Sequence, residues 1–306
     1  MEEPNSKAKK YLFIVLGPTG IGKTDLTIHL AKHFKTSIIS CDSRQFYKEL
    51  KIGVAAPDND QLARVTHHFI GNISIHDYYN VSRFENDVLE KLDSLFQHVD
   101  IVFMTGGSGL YIDAVCNGID DLPDIDEEIR NNLIHKAETE GVESLRFELK
   151  RLDPEFYNIV DLKNKNRILR ALEVCITTGK PYSALRTNQH KKREFEVVKI
   201  GLNMERKMLY ERIDRRVDIM LESGLIDEAK SFYSFRTLNA LNTVGYKELF
   251  EHFDGNYSLD EAIRLIKRNS RHYAKRQLSW FGRYNDITWF LPSQECEIIS
   301  FIKQKM

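Results

Sequence analysis

The 306-residue chain is poor in several things, and each shortage narrows the reading. It has four cysteines, at positions 41, 116, 175 and 296, and no CxxC pair among them. Such spacing suits a reducing compartment and gives no zinc site built on paired cysteines. No apolar run approaches the ~20 residues that a membrane-spanning helix requires. The opening "MEEPNSKAKK" has neither the apolar core of a signal peptide nor the arginine-rich, acid-poor character of a transit peptide. It reads as a short disordered tail on a cytoplasmic protein. Internal repeats and low-complexity tracts are also absent.

Net charge is close to nil, −1 from 44 Lys/Arg against 45 Asp/Glu, but its distribution is uneven. Residues 81 to 160 carry 7 basic and 18 acidic side chains, whereas residues 161 to 220 carry 15 and 8. A basic segment beside an acidic one hints at nucleic acid, because clustered cations attract phosphates. Solvated charged helices can look the same.

What is present begins with "YLFIVL", an apolar strand, followed by "GPTGIGKT" at residues 17 to 24 and a helical pattern. The spacing fits the phosphate-binding loop found in nucleotide-binding and ATP-binding proteins. Backbone N–H groups of Gly17, Pro18 onward through Thr19, Gly20, Ile21 and Gly22 would converge on an anion (proline itself donating none). Lys23 neutralises charge and the Thr24 hydroxyl can ligate Mg2+. Yet the strand "VDIVFM" (99 to 104) runs into "TGG" without the acidic residue that normally helps hold magnesium in triphosphate-hydrolysing proteins. The loop reports a diphosphate and leaves open the molecule that carries it.

Strand and helix patterns alternate along the first part of the chain, as in parallel βαβ units. "TSIIS" (36 to 40) reads as a second strand, leading into "CDSRQFY". Carboxyl ends of such strands face the ligand crevice. Asp42 is therefore a candidate general base or magnesium-organising group, and equally a turn or helix-capping aspartate. Residues 82 to 97 show a helical stripe at 84, 88, 92, 95 and 96. Residues 126 to about 180 look helical and stop at Gly179 and Pro181, before "EVVKIGL" (196 to 202) resumes strand character. Helices follow at about 205 to 223, 225 to 235, 244 to 253 and 258 to 282, and then a strand "DITWF". The expected fold is α/β: a P-loop NTPase-like parallel sheet flanked by helices, over 11–116 and 196–306, with a helical insertion at 117–195. On the helix at 258 to 282, Arg264, Arg268, Arg271 and Lys275 share one stripe, either a solvated basic face or a track for nucleic-acid phosphates.

Several blocks together resemble the tRNA dimethylallyltransferases, also called tRNA isopentenyltransferases. They are "GPTGIGKTDL", "IISCDSRQFYKELKIGVAAP", "HHFIGNI", "GGSGLYIDAV", "RILRALEV", "TGKP", "RIDRRVDIM", "TVGYKEL" and "IKRNSRHYAKRQLSWF", in family order across nearly the whole chain. The phosphate loop alone would not discriminate; its combination with "DSRQ", "VGYKE" and "YAKRQ" does.

The resemblance implies transfer of a dimethylallyl group from dimethylallyl diphosphate to N6 of adenosine 37 in tRNA, just 3′ of the anticodon. Diphosphate leaves intact, with Mg2+ as cofactor. It implies Asp42 as the base, with Thr19 near the reacting centre and Arg216 reaching the diphosphate. It implies tRNA contacts by Asp42, Ser43, Arg44 and Gln45, by Asn166, Arg167, Ile168, Leu169 and Arg170, and by Asn242, Thr243, Val244, Gly245, Tyr246 and Lys247. Ser108 and Arg130 match two further contact positions, and Gln45 could read adenine's edge. Ser108 stands where a threonine is usual, and Lys165 where many relatives have an aspartate. His67 and His68 match a paired motif but, lacking a third ligand at recognisable spacing, read as structural. No cysteine/histidine finger follows residue 290, so a compact bacterial-type enzyme is the closer match, with a monomer expected. Competing readings are an adenylate isopentenyltransferase, a small-molecule P-loop kinase and a non-catalytic nucleotide switch. The tRNA-matching segments disfavour the first, and nothing resembles the switch segments of the last.

Overall fold

Tyr11–Leu16, all apolar, form strand β1, and every residue of it is buried. A strand with no polar face has to be covered on both sides, which is the condition of a central strand in a parallel sheet. A computed structural model of the chain, describing residues 9–120, 122–124, 126–187 and 189–306, places it there. The expected N-terminal tail lies, through residue 8, outside the described residues.

In chain order β1 leads through the glycine-rich loop into α1 (Lys23–His33), then β2 (Ile38–Ser40), α2 (Asn59–Arg64) and β3 (His67–His68). Next come α3 (Val81–Phe96), β4 (Ile101–Gly106) and α4 (Gly109–Asn117). Five helices follow: α5 (Glu127–Thr139), α6 (Val142–Leu152), α7 (Pro154–Ile159), α8 (Lys165–Thr178) and α9 (Tyr182–Leu185). The chain continues with β5 (Glu196–Leu202), α10 (Arg206–Glu222), α11 (Leu225–Ser231), α12 (Tyr246–Phe253) and α13 (Leu259–Phe281). It ends in β6 (Ile287–Phe290) and α14 (Glu295–Lys305).

The strands form one sheet in the order β3-β2-β4-β1-β5-β6, with every pairing parallel. Alternation along β1 divides the core. Tyr11, Phe13 and Val15 pack with Leu26 and Ile28 of α1, Leu209 and Ile213 of α10, and Ile298 and Ile302 of α14. Leu12, Ile14 and Leu16 pack on the other face with Phe84, Val88 and Leu92 of α3, Ile112 of α4 and Phe281 of α13. Glu85 of α3 lies within this buried region, paired with Arg193 at 2.7 Å, the side chains 3% and 9% exposed. Arg193 also donates to the carbonyls of Ala114 and Val115, closing the last turn of α4. A third cluster joins Tyr47, Leu50 and Val54 to Val217, Leu225, Tyr246, Leu249 and Ile266.

The chain divides into two compact units, one made of the chain up to Cys116 with Arg193–Met306, the other of Asn117–Lys192. The second is helical and closes on Leu133, Leu145, Leu149, Phe156, Ile168, Leu169 and Leu172. Gly179, at φ 67, takes the left-handed conformation that ends α8.

Some elements differ from the sequence reading. β2 and β4 begin two residues later than expected, at Ile38 and Ile101, because Thr36 and Val99 precede the paired register. The helix expected over 225 to 235 ends at Ser231 and continues as a separate 3-10 turn at Tyr233–Phe235. The short α2 and β3 and the terminal α14 are not apparent from pattern alone. Phe46 and Tyr47, which follow the Asp42 turn, are both buried.

The Glu85–Arg193 pair yields a stability prediction. Removing one partner leaves a buried, uncompensated charge, a loss of ~3–5 kcal/mol in comparable pairs. Urea denaturation of Glu85→Ala should show a loss of that order; a midpoint like that of the wild type would mean the guanidinium is satisfied by carbonyls alone.

Candidate active site

The loop at 17–24 is shaped by what its glycines avoid. Gly17 has φ 149, and a Cβ there would lie 2.6 Å from the Leu202 carbonyl oxygen of β5. No other residue can occupy that position without moving the strand. Gly22, left-handed at φ 99, turns the chain into α1. The Ile21 side chain is fully buried in the core, so only its backbone is available to the loop. Lys23 Nζ donates to the carbonyls of Gly17 (3.0 Å) and Pro18 (2.8 Å), lying across the loop it belongs to. Its pKa is lowered to about 8, first by burial; the Asp42 carboxylate opposes that shift and the Arg216 guanidinium adds to it.

Thr19 is held from two helices distant in sequence. Its N–H donates to Gln277 Oε1 of α13 at 2.8 Å, and its hydroxyl accepts from Arg216 Nη1 of α10 at 2.7 Å. Gln277 is buried and its Nε2 donates to the Gly107 carbonyl at 2.9 Å, so one amide joins the loop to the end of β4. Arg212, one turn before Arg216, donates from Nε to the Gly20 carbonyl at 3.0 Å. Burial holds the Arg216 pKa below its ordinary value, and Asp42 acts against that shift.

Asp42 follows β2 in a tight turn. Its Oδ1 accepts from the Arg44 N–H at 3.0 Å, and its own N–H donates to Ser40 Oγ at 3.4 Å. The turn-forming and chemical readings of this aspartate are therefore compatible: one oxygen holds the turn and the other remains for chemistry. Ser108 supports the turn from the start of α4, its hydroxyl accepting from the Ser43 N–H at 3.1 Å. Arg44 spans to the 239–242 segment, donating to the carbonyls of Asn239 (2.7 Å), Ala240 (3.4 Å) and Asn242 (3.4 Å).

Two cavities meet at these residues. One, of about 320 Å³, lies over the loop and is lined by Lys23, Thr24, Arg212 and Gln45 among others. The other, of about 360 Å³, has an apolar wall containing Ile213, Val217, Met220 and Leu225, and a polar edge containing Ser43, Asn242 and Thr243. Thr19, Asp42 and Arg216 line both. The structure thus brings the three residues expected at the reacting centre to the boundary between the space over the loop and a mixed chamber.

Other expected residues have other surroundings. Val244, Gly245 and Lys247 line the larger cavity, but Tyr246 does not. Its side chain is fully buried, its hydroxyl donates to Glu228 at 2.6 Å, and its ring occupies the space a Cβ on Gly53 would need. Ile168 and Leu169 are likewise core residues of the helical unit, while their neighbours Asn166 and Arg167 are exposed. Among the segments expected at tRNA, these three side chains are buried: each packs into the core behind its own motif. Arg130 and Arg170 flank the buried Glu173, at 2.9 and 3.5 Å. The Gln45 amide donates to the Val54 and Ala55 carbonyls, so its N–H groups are engaged within the chain. On α13, Arg264 pairs with Glu261 and Arg271 with Asp214, leaving a more neutral stripe than its spacing suggests. His67 and His68 form the short β3, with burial lowering both pKa values.

Sequence reasoning did not single out Gln277, Arg212 or Glu228. Glu228 accepts from the N–H groups of Lys51, Ile52 and Gly53 and from Tyr246, fixing the segment that carries Val54 into the cavity wall. Gln277 stands in the quoted "YAKRQ" block, but only its partners Thr19 and Gly107 give it a role. Among the described residues, no group of three or more His, Cys, Asp or Glu side chains could hold a metal ion. No helix among them is long and apolar enough to cross a membrane.

Comparison with known proteins bears on this geometry. A family model described as IPP transferase matches residues 45–284. tRNA dimethylallyltransferase 1 of Phocaeicola vulgatus is 53% identical over 291 residues, covering 95% of this chain and 97% of its own. tRNA dimethylallyltransferase 1 of Bacteroides fragilis is 53% identical over 294 residues, covering 96% and 98%. The crystal structure of the full-length tRNA isopentenylpyrophosphate transferase from Bacillus halodurans superimposes with a TM-score of 0.71 at 36% identity, over 97% of each chain.

The setting of Lys23 predicts a pH signature. Its folded pKa lies below the unfolded value, so between about 8 and 10.5 the unfolded chain binds more protons. Stability contributed by this residue therefore rises with pH through that window. The stability difference between wild type and Lys23→Met, measured by denaturation without ligand, should move in favour of the wild type from pH 8 to 10.5. A pH-independent difference would contradict the burial effect.

Proposed function

Because the chain belongs to the IPP transferase family, we propose that it transfers a dimethylallyl group from dimethylallyl diphosphate to N6 of adenosine 37 in tRNA, releasing diphosphate. The observation that carries the reading is the shared boundary of the two cavities at Thr19, Asp42 and Arg216. A diphosphate in the loop would place its allylic carbon at that boundary, and an adenine entering the larger chamber would meet it there.

The chemistry then follows from the groups present. As the allylic C–O bond breaks, negative charge gathers on the departing diphosphate. Loop amides, Lys23 and Arg216 surround the place where it gathers, and preorganised donors of this kind supply the largest electrostatic contribution to many reactions. Burial makes the charged forms of Lys23 and Arg216 costly without an anion, so the site favours a ligand carrying negative charge. The adenine amine is a weak nucleophile, its lone pair being shared with the ring. A C–N bond forms as an N–H proton passes to the free oxygen of Asp42.

Magnesium fits the same cavity. The Thr24 hydroxyl is a hard oxygen donor that lines it, and a phosphate-loop Ser/Thr hydroxyl commonly holds Mg2+ together with substrate phosphates. Bound there, the ion would neutralise charge on the leaving diphosphate. Reaching a base in the anticodon loop requires taking it out of its stack, and the polar edge formed by Ser43, Asn242 and Thr243 is the proposed seat for the nucleotide. Exposed Asn166 and Arg167 of α8 and Lys247 of α12 are proposed to contact the RNA.

The direct test incubates the protein with labelled dimethylallyl diphosphate and unmodified tRNA. Label should enter tRNA; label in free adenine nucleotides would instead indicate an adenylate isopentenyltransferase. Within that assay Asp42→Asn should retain tRNA binding and lose ~10²–10⁴-fold in turnover, the usual contribution of a general base. Near-normal turnover would leave Asp42 with its turn-forming role alone.

A further inference from the structure

The larger cavity has a feature that the transfer reaction does not itself require: one wall is a graded apolar surface along a single helix. α10 places Arg212 and Arg216 on the loop, and Ile213 packs so closely that a Cβ on Gly20 would lie 3.0 Å from its Cγ1. Val217 and Met220 follow on the same face at helical spacing. From Ile213 to Met220 the helix advances ~10 Å. Leu225, at the start of α11, and Ile266 of α13 continue this wall, and both are buried in the cluster that backs it. Met220 is only half-buried and packs against that cluster from the cavity side.

Position assigns this surface to the hydrocarbon. A chain attached to a diphosphate in the loop begins beside Thr19 and Arg216, and the next residue on the helix facing the cavity is Val217. Ser43, Asn242 and Thr243 offer the polar groups that a nucleotide edge requires. The apolar wall has none, and a hydrogen-bonding edge placed against it would be left unpaired.

Resting on the proposed transfer reaction, we infer that Met220 and Leu225 set the length of the prenyl group, with Met220 the residue that a chain longer than five carbons meets first. Val217 lies alongside the first carbons, whereas Met220 and Leu225 stand where an additional isoprene unit would have to go. A rigid apolar pocket discriminates by roughly 10–200-fold for one misfitting methylene. The backing is rigid here because Glu228 of α11 is fixed by three backbone N–H groups and the Tyr246 hydroxyl, which hold the helix bearing Leu225.

The experiment compares dimethylallyl diphosphate with geranyl diphosphate, its ten-carbon homologue, as donors to unmodified tRNA. The readout is the ratio of their kcat/KM values. Met220→Ala should raise the geranyl-to-dimethylallyl ratio by about tenfold or more, the lower end of what a methylene-sized misfit costs. Leu225→Val is a second, milder variant that should shift the ratio the same way, and thermal unfolding establishes that each is folded. An unchanged ratio in both folded variants, with dimethylallyl transfer still measurable, overturns the assignment of the wall and leaves the reaction standing. Failure of the wild type to transfer label from dimethylallyl diphosphate overturns the reaction itself, and the length assignment with it.

Discussion

The hydrogen bonds that converge on Thr19 are the constraint on which the rest of the site depends. A phosphate loop between a strand and a helix is a local structure, but its neighbours come from residues about two hundred or more positions away. Arg216 holds the Thr19 hydroxyl and Gln277 holds its N–H. Through Gln277 the loop is tied to Gly107 at the end of β4, where a Cβ would lie 2.0 Å from the glutamine amide nitrogen. The missing acidic residue after "VDIVFM" thus has a structural counterpart. The chain end of that strand approaches an amide on α13 and has no space for a side chain at Gly107.

A second layer of fixed polar groups supports the first. Arg44 gives its guanidinium to backbone carbonyls at 239–242, while Ser108 receives the N–H of Ser43. Glu228 collects three consecutive N–H groups at 51–53. Each of these interactions spends a side chain to position backbone, and each aligns a segment that borders the larger cavity. Buried polar groups left without partners cost ~1–3 kcal/mol each, so the network holds together only in an arrangement that satisfies most of its members. The resulting rigidity suits a reaction in which the acceptor nitrogen, the allylic carbon and the base must coincide.

Much of this was legible in the residues, for reasons that can be stated. β1 and β4 are apolar runs bounded by turn residues, and a helical stripe such as Phe84, Val88 and Leu92 exposes its period directly. The loop was legible because its spacing encodes a backbone shape. Asp42 was legible from its place at the end of β2. Gln277 and Glu228 were not, because their partners are remote and a lone glutamine or glutamate has no pattern. Tyr246, Ile168 and Leu169 show the opposite difficulty: matched motifs contain packing residues, and a motif does not distinguish a side chain that faces the ligand from one that faces the core. The α13 arginines show why spacing gives a face but not its charge, since Asp214 of α10 neutralises Arg271 from another element.

If the loop holds a leaving group, the bond broken is carbon to oxygen and not phosphorus to oxygen. Dimethylallyl diphosphate carrying ¹⁸O in its bridging position tests this directly, with mass spectrometry of both products after transfer to tRNA. All of the label should depart in the diphosphate, and none should be found in the modified nucleoside. Label retained with the five-carbon group, or phosphate transferred to the acceptor, would contradict carbon–oxygen cleavage.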